Sequence, residues 1–121
     1  MERKQSAIVD CGATTHFIPL CDNLINYHTI DNTDVKAADG RSFAAIGVGD
    51  LPIDLPNGSE HTSVILKGVL YTPDLVFTLI SVPQLDKAGF STVLENGFCT
   101  ISSPTPEQKV IAHVAYSNGL Y

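Results

Sequence analysis

The stretch Ile8-Val9-Asp10-Cys11-Gly12-Ala13-Thr14-Thr15-His16, or IVDCGATTH, puts an acid directly after an apolar run and follows it with small residues. Ile8 and Val9 suit a buried strand, Gly12 permits a sharp turn, and Ala13 and Thr14 leave room for something to approach. A carboxylate at the end of a buried strand is costly unless it is hydrogen-bonded or used. Read locally, two interpretations stay open: a structural turn and a functional carboxylate. If Asp10 is catalytic, the useful chemistry is that of a carboxylate dyad. Two carboxyl groups about 3 Å apart share one proton, so the pair can activate water while protonating a substrate oxygen. The chain carries one D-x-G-A motif, so a dyad needs Asp10 from two copies and the site would sit on a homodimer axis.

Outward from that stretch, short apolar or alternating runs recur as SAIVD, DVKAAD, SFAAIGVGDLPIDL, TSVILKGVLY, STVLE, FCTIS and KVIAHVAY. Each is bounded by Gly, Pro, Asn or Asp, the pattern of a mostly β domain. Asp39-Gly40 and Asn57-Gly58 accept the positive φ of tight hairpins, which predicts two consecutive hairpins. The sequon Asn57-Gly58-Ser59 then reads as a turn. One segment breaks the pattern: ISVPQLDKAGF offers Ser81 as N-cap, Pro83 in the first turn and Gly89 past the end. A short helix is expected there, burying Val82, Leu85 and Ala88 on one face.

Length and charge narrow the function classes. The 121 residues, 44% of them hydrophobic, suit a single domain spanning 1–121. Thirteen acidic residues against seven basic ones give a net charge of −6, which disfavours direct binding of nucleic acid. No apolar run reaches the roughly 20 residues that cross a bilayer, and the basic start MERK precedes no signal-like segment, so no membrane partner is expected. Three cysteines without a C-x-x-C pair fit a reducing compartment.

The same residues admit other chemistries. Cys11 and His16 could form a thiolate and base, but such pairs usually come from distant segments. Cys11, His16 and Cys21 are spaced C-x4-H-x4-C, with His28 the only nearby fourth ligand, and a structural zinc site would be incomplete. No metal or cofactor is expected. Asp39, Gly40 and Arg41 lie at a hairpin tip, read either as an exposed turn or as a mobile flap over a ligand.

The order of these features resembles the protease region of copia-type retrotransposon Gag-Pol polyproteins, a branch of the retropepsin-like aspartic proteases. The matching stretches are IVDCGATTHFIP, VKAADGRSFAAIGVGDLPI, LKGVLYTPDLVFTLISVPQLDKAGF and SNGLY. The resemblance implies a retropepsin-like closed β barrel with one short helix and half of the active site per chain. It implies Asp10 as the catalytic aspartate, with Cys11, Gly12, Ala13 and Thr14 in the active-site loop. Val35 to Gly49 would form the flap, with Asp39, Gly40 and Arg41 near its tip and in contact with substrate. Leu79 and Ile80 would be the hydrophobic pair supporting the loop.

By the same resemblance the chain is an endopeptidase that processes a Gag-Pol polyprotein as a homodimer. It would act in the cytoplasm, within the precursor or a virus-like particle. Two positions depart from the general pattern. Ser81 stands where many retropepsins have Gly, a trait of the copia type. Cys11 replaces the usual Ser or Thr, whose hydroxyl joins the two loops across the axis; a thiol is larger and a weaker donor. That substitution motivates an alternative, a catalytically impaired domain serving dimerisation or peptide binding. The terminal runs RKQSAIV and KVIAHVAY are apolar enough to contribute to a dimer sheet.

Overall fold

Alternation builds the long strands. In the run that follows the first hairpin tip, Ala45, Gly47, Gly49 and Leu51 are buried while the residues between them are partly exposed. The computed structural model describes residues 7–36 and 40–115. In order these form β1 (Ala7–Asp10), β2 (Phe17–Ile18), β3 (Ile25–Lys36), β4 (Ser42–Asn57), β5 (Glu60–Tyr71) and β6 (Thr78–Ser81). Helix α1 (Val82–Lys87) follows, then β7 (Ser91–Glu95), β8 (Phe98–Ser102) and β9 (Val110–Ala115). Among the described residues the domain is mostly β with one short helix, as expected.

One sheet contains all of these strands, in the order β1-β6-β2-β5-β4-β9-β8-β7, with β3 pairing β4 outside that path. β1 runs parallel to β6 and sets Asp10 opposite Ser81. β2 bridges β6 and β5, pairing Phe17 with both Leu79 and Leu70. The core gathers Ile18, Val69, Ile80, Cys99 and Ile101, all essentially without solvent exposure. Burying an aliphatic side chain of this size stabilises by about 1.5–3 kcal/mol, so these residues fix the layer on which Asp10 rests.

Both expected hairpins form. Asn57 faces Glu60 across a turn whose Gly58 has φ 67°. Lys36 faces Ser42 across the first tip, where Gly40 has φ 88°; Asp39 lies outside the described residues. Between Gly49 and Leu51 the pairing with β5 shifts, because Lys67 and Gly68 together face Asp50. Gly68 takes φ 65°, and Asp50 Oδ1 accepts its N–H at 3.2 Å. At this bulge Lys67 has no partner residue in the ladder, and its carbonyl accepts from the Gln84 side chain instead.

Helix α1 starts as its sequence predicts. Ser81 Oγ accepts the Gln84 N–H at 3.0 Å, Pro83 lies in the first turn, and Gly89 follows the end with φ 92°. Leu85 is buried, whereas Ala88, expected on the same face, is exposed because it is already the C-cap. Ser81 Oγ also donates to the Ala13 carbonyl at 2.6 Å, so one hydroxyl caps the helix and holds the loop after Asp10. Ser81→Ala is expected to cost about 1–2 kcal/mol, read as a lower urea midpoint at unchanged slope.

The terminal runs divide. β9 lies between β4 and β8, so the late run is largely paired within its own sheet. Among the described residues β1 ends the strand order and pairs with β6 alone; residues 1–6 lie outside them.

Candidate active site

Asp10 closes β1, and its Oδ1 accepts the Gly12 N–H at 2.8 Å, the bond that turns the chain back. A Cβ on Gly12 would come within 3.3 Å of that same oxygen, so a larger residue there would push the carboxylate by a few tenths of an ångström. Cys11 and Thr14 are exposed, and Ala13 is buried. The Cys11 thiol is therefore free to meet a second molecule.

Beneath the loop lies a chain of hydrogen bonds. His16 is 3% exposed, and its Nδ1 accepts the Ser81 N–H at 2.9 Å. That bond requires a neutral ring with its proton on Nε2. Gln84 Oε1 accepts the Thr15 hydroxyl at 2.5 Å and the His16 N–H at 2.7 Å. Its Nε2 donates to the Lys67 carbonyl at 2.7 Å, the acceptor freed by the bulge. One amide thus joins the loop after Asp10, the helix and β5.

Asp10 opens onto a cleft of about 120 Å³ lined by Gly12, Ala13, Phe17, Val35, Phe43 and Leu79, among others. Val35 and Phe43 face each other across the β3–β4 hairpin, so the flap-like element and the acid share one cleft. A second depression of about 210 Å³ continues past Phe43 to Asp74 and Phe77. The Arg41 guanidinium lies 5.3 Å from the Phe43 ring centre, a cation–π distance at the hairpin's end. Leu79 and Ile80 split their roles: Leu79 lines the cleft, whereas Ile80 is 2% exposed and lies in the core.

The competing chemistries are not assembled. His16 is buried and spends Nδ1 on Ser81 while Cys11 is exposed, so they do not make a nucleophile and base. Among the described residues no three His, Cys, Asp or Glu side chains gather closely enough to hold a metal ion. His16 and Gln84 are instead supports that sequence reading did not place, and Ser81, expected as the helix N-cap, also holds the loop. The loop spacing of His16 gave a signal, but Gln84 gave none.

Burial lowers the His16 pKa from 6.5 to about 4. The unfolded chain therefore takes up a proton near pH 6.5 that the folded chain refuses until about pH 4. Stability from this group is full above pH 6.5 and is lost as pH falls toward 4, about 3 kcal/mol in all. Urea midpoints should fall less between pH 7 and pH 4 in His16→Gln than in the parent. Equal slopes would show that His16 does not carry the acid sensitivity.

The profile of the family described as Pol polyprotein, beta-barrel domain matches residues 7–90, from the first strand through the helix. The chain belongs to this family. The Pol β-barrel domain is also 32% identical over 89 residues to the retrovirus-related Pol polyprotein from transposon TNT 1-94 of Nicotiana tabacum. That match covers 74% of this chain and 6% of the tobacco protein, so the domain spans a small part of its relative. Both findings agree with the resemblance to a copia-type Pol region. Strands β7 to β9 lie beyond the family match yet complete the sheet of this Pol β-barrel domain.

Proposed function

We propose that this domain is the aspartic endopeptidase of a copia-type retrotransposon, processing a Gag-Pol polyprotein as a homodimer. The observation that carries the reading is Asp10, pinned by Gly12 and opening onto a cleft beneath the β3–β4 hairpin. Two Asp10 carboxyls brought together across an axis share one proton. The ionised member takes a proton from water as the water attacks the peptide carbonyl. The protonated member donates to the carbonyl oxygen, which would otherwise carry negative charge.

The rest of the site serves that step. The hairpin lies over the cleft and offers backbone to an extended peptide, while Phe17, Phe43 and Leu79 receive apolar side chains. Gly40 and Arg41, with Asp39 beyond the described residues, form the end of the flap. The chemistry calls on no metal or organic cofactor, and the reaction would run in the cytoplasmic precursor or particle. The test is solution mass measured beside cleavage of a polyprotein fragment, with and without pepstatin. Dimer mass with pepstatin-sensitive cleavage is expected; a monomer that cleaves equally well would overturn the reading.

Cys11 favours a second reading, a domain that dimerises or binds peptide without efficient catalysis. The exposed thiol occupies the position where a hydroxyl joins the loops in the resembling proteases. Cys11→Ser separates the two: activity within about threefold of the parent supports a competent enzyme. A gain of about a hundredfold, worth roughly 3 kcal/mol at the transition state, supports an impaired one.

A further inference from the structure

Of the chain's four histidines, His28 and His61 are exposed and His113 is half-buried beside Phe98. His16 is buried, and its backbone is held on both sides: the N–H donates to Gln84 Oε1 at 2.7 Å and the carbonyl accepts the Leu70 N–H at 2.9 Å. The ring then meets Ser81 through Nδ1, which accepts the Ser81 N–H at 2.9 Å. Ser81 faces Asp10 in the last register of the β1–β6 pair, and its hydroxyl holds both the Ala13 carbonyl and the start of α1. One imidazole nitrogen thus acts on the residue where the strand of Asp10, the loop after it and the helix meet.

Protonation reverses that contact. An imidazolium carries N–H on both nitrogens, so at Nδ1 a donor would face the Ser81 N–H and leave it without an acceptor. The clamped backbone keeps the ring from withdrawing with its chain, and a charge left in place would be buried. The titratable groups on the elements around the ring are Asp10 on β1, Cys11 in the loop, Lys67 and Tyr71 on the near part of β5, and Asp86 and Lys87 on α1; β2 and β6 bring none. Burial holds the ring neutral, from an ordinary 6.5 down to about 4, and no charged neighbour enters that shift.

We propose that His16 is a positioning residue for Asp10: the neutral ring holds Ser81 and the loop after Asp10 in their working places, and protonating it releases them before the rest of the domain unfolds. The catalytic half of this statement rests on the endopeptidase reading; the release of the loop does not. Cleavage then stops on the acid side when His16 takes its proton, even while the Asp10 pair keeps its own.

The test pairs an NMR titration of the full chain with a pH profile of cleavage. In Asp10→Asn, whose amide does not titrate, the ring nitrogens of His16 and the amides of Gly12, Ala13 and Ser81 should move together, with one midpoint near pH 4. The amides of Thr92 in β7 and Ile101 in β8 should hold through it. A ring that titrates near its ordinary 6.5, loop amides that ignore it, or loss of β7 and β8 at the same midpoint would overturn the proposal. In cleavage, His16→Phe removes the acceptor and should lower kcat about tenfold near neutral pH, with KM within about twofold of the parent. His16→Asn, whose Oδ1 can stand where Nδ1 did, should recover most of that loss and extend activity to lower pH. If His16→Phe does not fold, the acid limbs of the parent and His16→Asn decide, and identical limbs would overturn the proposal. Absence of cleavage in the parent at every pH would remove the endopeptidase reading and the catalytic half with it, while the titration still decides the release of the loop.

Discussion

Asp10→Asn is expected to lower kcat/KM for a polyprotein fragment by about a thousandfold or more, while the fold persists. The amide keeps an oxygen that can accept the Gly12 N–H, so the turn after β1 survives. What the proposed dyad would lose is its shared proton, because an amide neither ionises to take a proton from water nor donates one as a carboxylic acid does to the carbonyl oxygen. Cleavage of a fluorogenic peptide and the far-UV spectrum check the two halves of this statement. Mixing makes the test sharper. If each dimer needs both aspartates, an equal mixture of parent and Asp10→Asn chains that exchanges freely should keep about a quarter of the activity. Half the activity would mean that each chain works alone, and the dyad would be discarded.

Much of the fold was legible because its turns carry their own chemistry. Strands β7 and β8 begin and end where the sequence places them, since Asn96 and Gly97 both take positive φ between them, 53° and 81°. Most of β3 was not legible. Its residues from Ile25 to Thr29 are exposed, and its register slips twice, so no alternation marks it. The edge is held by a long neighbour, β4, and not by a buried face of its own. Ala88 shows the opposite error: helical spacing continued one residue beyond the last helical turn.

The site divides along the same line. Asp10 and Gly12 interact within three residues, and a local pattern can record that. Gln84 reaches Thr15 and His16 across 69 and 68 positions, and no spacing rule connects an amide on a short helix to a loop so distant. His16 was visible as a histidine but not as an acceptor, because its partner Ser81 lies on the parallel strand that tertiary structure brings beside β1. The acid is thus written locally and its supports are written in the topology.

Those supports make the second large effect. Gln84→Ala is expected to lower unfolding stability by about 3 kcal/mol, since it strips partners from the Thr15 hydroxyl, the His16 N–H and the Lys67 carbonyl together. Freed from β5, the loop after Asp10 should also hold its carboxyl less precisely, with a loss in kcat/KM of about tenfold beyond any unfolded fraction. Gln84→Glu separates the two sides of the amide. Its carboxylate can still accept from Thr15 and His16, but it cannot donate to Lys67 and meets that carbonyl as a second acceptor. The glutamate variant should therefore recover most of the activity while remaining about 1–2 kcal/mol less stable than the parent. Denaturant midpoints and kcat/KM measured on the same samples decide it. If the alanine variant matches the parent in both, the loop is held by Ser81 and Gly12 alone, and the bond from Gln84 to the bulge is incidental.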